Sequence, residues 1–226
     1  YEYTIRPGDT LSGIAERFRV KWTDISRLNG NVAADRLFIG SKIRILVEGP
    51  IVRSKAMGKP YQGRLVNGEQ LGAGPGYYRR RPHRSWGTNE TIGHILRAIQ
   101  KVRKRFPGIH DLAIGDISKK RGGKLHPHVS HQSGRDVDLG FYFKGQPPEG
   151  PKRFISALHN RFDYRANWAL LNNLIGPSKK RSPVRVIFLS YSVQERLYKW
   201  AQKRGVSQKK LDWLFQYPRG NRALRG

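Results

Sequence analysis

Three of the seven histidines fall within six residues, in the run His126-Pro127-His128-Val129-Ser130-His131. Just beyond them stand two acids, in Asp136-Val137-Asp138-Leu139-Gly140-Phe141. As a strand, this run sets Asp136 and Asp138 on one face and turns Val137, Leu139 and Phe141 inward. A strand that aims two carboxylates at a turn bearing histidines is a candidate metal cradle. Neutral imidazole and carboxylate suit Zn²⁺, and a catalytic zinc needs three protein ligands plus a water. Helical His-Glu-x-x-His is absent, which excludes the thermolysin arrangement. The competing reading is a polar surface turn in which Asp136 or Asp138 pairs with neighbouring Lys or Arg. Spacing alone leaves both readings open.

The elements that must position these residues follow from the rest of the chain. Its 226 residues carry 44 Lys+Arg against 16 Asp+Glu, a formal charge of +28, and no cysteine. Without cysteine there is no disulfide scaffold, thiol nucleophile, thiolate zinc finger or iron–sulfur cluster. No window approaches ~18 uninterrupted apolar residues, so no membrane span is expected. The start, Tyr1-Glu2-Tyr3-Thr4-Ile5, lacks a basic segment followed by an apolar run, so no signal peptide is expected in this chain. The charge calls for an anionic partner: nucleic acid, an anionic membrane face or a wall polymer. It is unevenly spread. Residues 1–48 hold eight Lys/Arg and six Asp/Glu, which leaves +26 on the remainder. That step, with the Pro/Gly-bearing stretch after Val47, divides the chain into a module at 1–48, a linker at 49–60 and a larger domain at 61–226.

The small module reads as strand, helix, helix, strand. Thr10 is placed to cap a helix with Leu11, Ile14, Ala15 and Phe18 on one face. Thr23 is placed to cap a second helix that ends at Asn29-Gly30. Lys42 to Leu46 alternates as a strand. The larger domain reads as α+β, with helices over Thr91–Arg105 (capped by Thr91), Trp168–Ile175, Ser192–Arg204 and 207–215. Strands are expected at Leu112–Ile114 and Val184–Leu189.

The string YTIRPGDTLSGIAERFRVKWTDISRLNGNVAADRLFIGSKIRIL resembles a LysM domain over its whole length. The resemblance implies binding of N-acetylglucosamine-containing glycans, peptidoglycan above all. It assigns the groove to Gly8, Asp9 and Thr10 and to the Asn29–Ile39 stretch. Turn chemistry alone would also select Gly8 and Asp9.

The pattern IGDIS…GG…HxSHQSGRDVDLGFY resembles the penicillin-insensitive murein endopeptidases, with further likeness at GTNETIGHILRAIQKV and LFQYPRG. The resemblance implies a zinc-dependent peptidase that cuts stem-peptide cross-links in the periplasm or cell wall. It places metal ligands on His131 and Asp138 and a further motif histidine, close to the metal, on His128. Arg135 and Asp136 take supporting roles, and Asp116 buttresses the site. The family completes its site with a C-terminal His-x-His, and this chain has no histidine after His159. Three explanations stand: the chain is cut short, His126 or His128 supplies the third ligand, or the protein binds the wall without catalysis. The fold class expected is a βααβ LysM module followed by an α+β zinc-peptidase domain with a central antiparallel sheet. Peptidoglycan and anionic wall polymers are the expected partners. The rival is nucleic-acid binding, through Arg79-Arg80-Arg81, Lys179-Lys180-Arg181 and the aromatics Tyr198, Trp200, Trp213 and Phe215.

Overall fold

The computed structural model describes residues 2–18, 20–33, 36–47, 53–158, 161–176 and 182–218. Two compact units result, Tyr1–Leu96 with Ile114–Asp138, and Arg97–Ala113 with Leu139–Gly226. The elements in chain order are β1 (Glu2–Thr4), α1 (Leu11–Phe18), α2 (Trp22–Leu28), β2 (Lys42–Arg44), β3 (Lys55–Lys59), β4 (Gln62–Val66), β5 (Glu69–Gln70), β6 (Tyr77–Arg79), β7 (Trp86–Gly87), α3 (Asn89–Arg105), β8 (Leu112–Ile114), α4 (Tyr164–Ile175), α5 (Tyr191–Gln202) and α6 (Gln208–Leu214). The class is α+β. Every sheet among the described residues is two-stranded, so short pairs and isolated bridges stand where a larger central antiparallel sheet was expected.

In the first unit, β1 and β2 pair antiparallel with Tyr3 opposite Ile43. Thr10 Oγ1 accepts from the Gly13 amide at 3.0 Å and starts α1 as its residue type requires. Leu11, Ile14 and Ala15 then bury one helical face against Tyr3, Ile5, Ile25, Ile43 and Ile45. Helix α2 begins one residue before the expected cap. Lys21 holds the N-cap position without a side-chain bond, so Thr23 lies inside the helix. Strand β3 occupies much of the stretch read as linker. It forms a hairpin with β4, Ala56 pairing with Leu65 and Lys59 facing Gln62 across the turn. Strand β5 pairs with β7. The cap of α3 is Thr88, whose Oγ1 accepts from the Thr91 amide at 3.1 Å; Thr91 was expected in that role.

The second unit gathers around Phe143, Phe162, Val193, Leu197, Tyr198, Leu211 and Phe215. Helix α4 starts four residues earlier than its apolar period indicates, because Asp163 Oδ1 accepts from the Ala166 amide at 3.0 Å. The strand expected at Val184–Leu189 is not formed. The segment carries no ladder, and Val186 and Phe188 are 60% and 71% exposed. A β-rich composition makes a strand only where a neighbour offers backbone groups. The cationic run Lys179-Lys180-Arg181 lies outside the described residues.

Asn167 is a buried polar anchor of this unit. Its Oδ1 accepts from the Tyr142 amide at 2.9 Å, and its Nδ2 donates to the carbonyls of Tyr142 at 2.7 Å and Asp163 at 2.8 Å. Removing the side-chain amide leaves the Tyr142 N–H without its partner, while the Tyr142 carbonyl keeps the Asp163 amide at 3.0 Å. Asn167→Ala is therefore expected to cost about 1–3 kcal/mol. Urea denaturation followed by tryptophan fluorescence measures this; a loss below about 0.5 kcal/mol would mean that water replaces the amide.

Candidate metal centre

The centre is built on one buried segment. Ile114 and Ile117 are fully buried and hold Gly115-Asp116 between them. The Gly115 amide donates to the Asp138 carbonyl at 2.8 Å, and the Asp138 amide donates to the Asp116 carbonyl at 3.0 Å. These bonds fix Asp138 although residues 136–138 form no strand ladder, contrary to expectation.

Asp116 is 1% exposed. Its Oδ2 accepts from Arg81 Nη1 at 3.0 Å, Arg84 Nη1 at 3.1 Å and His128 Nε2 at 2.9 Å. Burial pushes this carboxyl up. Bonds from His128 and Arg84, with the charges of Arg81 and Arg84, outweigh burial and hold it below the usual carboxylate range. An ionised carboxylate only accepts, so His128 carries its proton on Nε2. Oδ1 is buried without a hydrogen-bond partner among the described residues.

His131 adopts φ 63°, a left-handed conformation that is uncommon outside glycine. Its amide donates to Asp136 Oδ2 at 3.2 Å, which supports the turn. Its Nδ1 faces the Ile117 carbonyl at 3.1 Å. A carbonyl only accepts, so Nδ1 carries the proton and Nε2 points away, 3.2 Å from Asp138 Oδ1. Burial lowers the His131 pKa, but the bond and charge of Asp138, the charge of Asp136 and the Ile117 carbonyl raise it above its ordinary value. Asp136 moves up, chiefly by burial, with His131 and Arg135 opposing. Arg135 ties this loop to β3 by donating to the Gly58 carbonyl at 2.8 Å.

The His128 and His131 rings lie 4.4 Å apart. One ligand atom from each of His128, His131 and Asp138 can be chosen so that all lie within 4.8 Å of one another. An imidazole and a carboxylate, His131 Nε2 and Asp138 Oδ1, fit a divalent transition ion, with the His128 ring beside them. The orientation of His131 by a carbonyl is the outer-shell support such ligands require. The structure thus brings together His128, His131 and Asp138, with Asp116 and Asp136 immediately behind them. Arg81 and Arg84 were missed as site residues. Arg81 was read as part of a basic run, yet the short 3₁₀ turn Pro82–Arg84 brings it and Arg84 to one carboxylate.

Residues 3–46 match the model of the LysM domain, and residues 56–164 match that of the penicillin-insensitive murein endopeptidases. The chain combines a LysM domain with a murein endopeptidase domain. Among curated proteins none matches.

In the LysM domain a cleft of about 390 Å³ lies between Ile5, Asn29, Val32, Arg36, Phe38 and Ser41, with Phe38 73% exposed and Ile39 46% exposed beside it. Asn29 is committed to the backbone. Its Nδ2 donates to the Ile25 and Arg44 carbonyls, and its Oδ1 accepts from the Arg44 amide at 2.7 Å. Asp9 accepts from Tyr3 Oη and from the Arg6 amide, both at 2.7 Å. In the second unit, Tyr198 and Phe215 belong to the core, and Trp200 stacks on Tyr164 and lies under Arg204. These aromatics are therefore not free as stacking faces for nucleic acid.

The raised His131 pKa has a definite sign for the metal-free protein. A proton on Nε2 strengthens the pair with Asp138, so this contribution is fully present below about pH 6.5. It is lost as pH rises through the folded-state value. Thermal melts in chelator between pH 5.5 and 8 are expected to show a falling contribution from this pair, and Asp138→Asn should flatten that part of the profile. A profile identical in the variant would remove the pair as its source.

Proposed function

We propose that the protein is a zinc-dependent endopeptidase that hydrolyses stem-peptide cross-links of peptidoglycan, and that its LysM domain holds it at N-acetylglucosamine-containing glycan in the wall or periplasm. The observation that carries this reading is the convergence of His128, His131 and Asp138 within the endopeptidase match. His131 Nε2 and Asp138 Oδ1 would hold the metal. Zinc, when bound, supplies Lewis acidity toward a peptide carbonyl and toward water. The remaining work falls to the chain. The Ile117 carbonyl keeps a proton on His131 Nδ1, so the opposite nitrogen, Nε2, is the one that would offer its lone pair to the ion. Asp116 keeps a proton on His128 Nε2, beside Asp138 Oδ2 at 3.7 Å. In this reading His128 passes a proton from the attacking water to the departing amine, and Asp116 holds its ring in place. The charge of +26 outside residues 1–48 concentrates the enzyme on anionic wall polymers, with the LysM domain raising its local concentration.

Two variants separate the roles. His131→Ala is expected to lose zinc, read as metal per chain by elemental analysis, together with cleavage of cross-linked dimers, read by mass spectrometry of digested muropeptides. His128→Ala is expected to keep zinc while turnover falls about 10²–10⁴-fold. Loss of metal from His128→Ala would make this histidine a ligand. Full cleavage by His131→Ala would sink the zinc mechanism.

A further inference from the structure

The Pro7–Thr10 turn of the LysM domain is covered from within the same compact unit. Gly8 has φ +82°, and a Cβ added there would lie 2.2 Å from the Ala73 carbonyl oxygen. From the opposite side, a Cβ on Gly74 would lie 2.9 Å from the Pro7 carbonyl oxygen and 2.8 Å from Tyr77 Oη. A glycine on each partner is what lets the two backbones meet. Beside this contact Glu69, at the start of β5, has its side chain 8% exposed. Its Oε1 accepts from Arg6 Nη1 at 2.7 Å and lies 3.7 Å from Arg17 Nη1. Its Oε2 accepts from Asn89 Nδ2, and Asn89 Oδ1 accepts from the Ser54 amide at 3.0 Å. Arg17 also donates to Tyr3 Oη, which donates to Asp9. The two arginines that surround Asp9 therefore end on a carboxylate of the endopeptidase domain. Two guanidiniums and two carboxylates balance in a largely buried cluster, a geometry in which loss of one acid leaves cations uncompensated.

We propose that Glu69 is a latch that seats the LysM turn on the endopeptidase domain, and that a glycan reaching Gly8 and Asp9 must release it. This rests on the glycan reading of the LysM domain given above. In the latched state the Gly8 face is occupied by Ala73, while the cleft beside Phe38 is open. Glycan binding is then reduced by the latched fraction and increases when the latch is weakened. By reciprocity, glycan loosens the Leu71–Tyr77 segment.

The test uses the full chain, calorimetric titration with the tetramer of N-acetylglucosamine, and hydrogen exchange by mass spectrometry. Glu69→Gln, which keeps shape and removes charge, is expected to bind the tetramer at least about fivefold more tightly than the native chain. Arg6→Ala breaks the same bridge from the other side, leaves the Arg6 amide bond to Asp9 intact, and is expected to act in the same direction. Amides of residues 71–77 are expected to exchange faster in both variants, and in the native chain when tetramer is added. Equal affinity in all three proteins would overturn the latch while leaving the glycan reading intact. Unchanged exchange at residues 71–77 would overturn it as well. Absence of tetramer binding by every protein would overturn the glycan reading, and the coupling with it.

Discussion

The metal centre depends on the backbone and carboxylate of Gly115-Asp116-Ile117. This short segment touches all three residues of the candidate centre. Gly115 and Asp116 bond the backbone of Asp138, Asp116 orients His128, and the Ile117 carbonyl orients His131. The ligands come from an irregular loop, and such loops are poor at holding geometry by themselves. The buried segment supplies the rigidity. Ile114 and Ile117 anchor it in the core, and each ligand then needs only one or two bonds to be fixed. The histidine tautomers follow from the same contacts, because a carbonyl and an ionised carboxylate can each accept but not donate.

That arrangement has an energetic cost which the surrounding cations offset. A buried carboxylate is unfavourable unless it is paired and hydrogen-bonded. Asp116 receives two guanidiniums and an imidazole on one oxygen, while Oδ1 is left without a hydrogen bond among the described residues. Arg81 and Arg84 thus act on the chemistry indirectly. They keep Asp116 charged, and a charged Asp116 keeps the His128 proton where it is.

The LysM domain was legible in the sequence because its code is local. A cap at Thr10, an apolar period at Leu11, Ile14 and Ala15, and alternation at Lys42–Arg44 each decide their own element within a few residues. The histidine and aspartate run was legible for its chemistry, since few residue types serve metals. What escaped was decided by distant partners. The Val184–Leu189 run has strand composition but no neighbouring ladder. Lys55–Lys59 looks like linker until Gln62–Val66 folds back on it. Thr88 was passed over as a cap in favour of Thr91, whose amide it receives, because both are threonines at the start of one apolar period. Arg81 lay inside a basic run whose bulk charge masked a specific bond across 35 positions.

The charge imbalance itself shapes what can be organised. With 44 Lys+Arg against 16 Asp+Glu, cations are abundant and carboxylates scarce. Two of the buried carboxylates described above each collect more than one cation: Asp116 takes Arg81, Arg84 and the His128 imidazole, and Glu69 takes Arg6 and Arg17. An arginine removed from such a cluster leaves the acid still paired. An acid removed leaves two guanidiniums facing each other with their shared anchor gone. Structural information in this chain is therefore concentrated in its few acids, and an acid-to-amide change at Asp116 or Glu69 disturbs more than any single arginine substitution around it. The cations in excess of the acids leave the chain with a net positive charge that favours an anionic surface outside the protein.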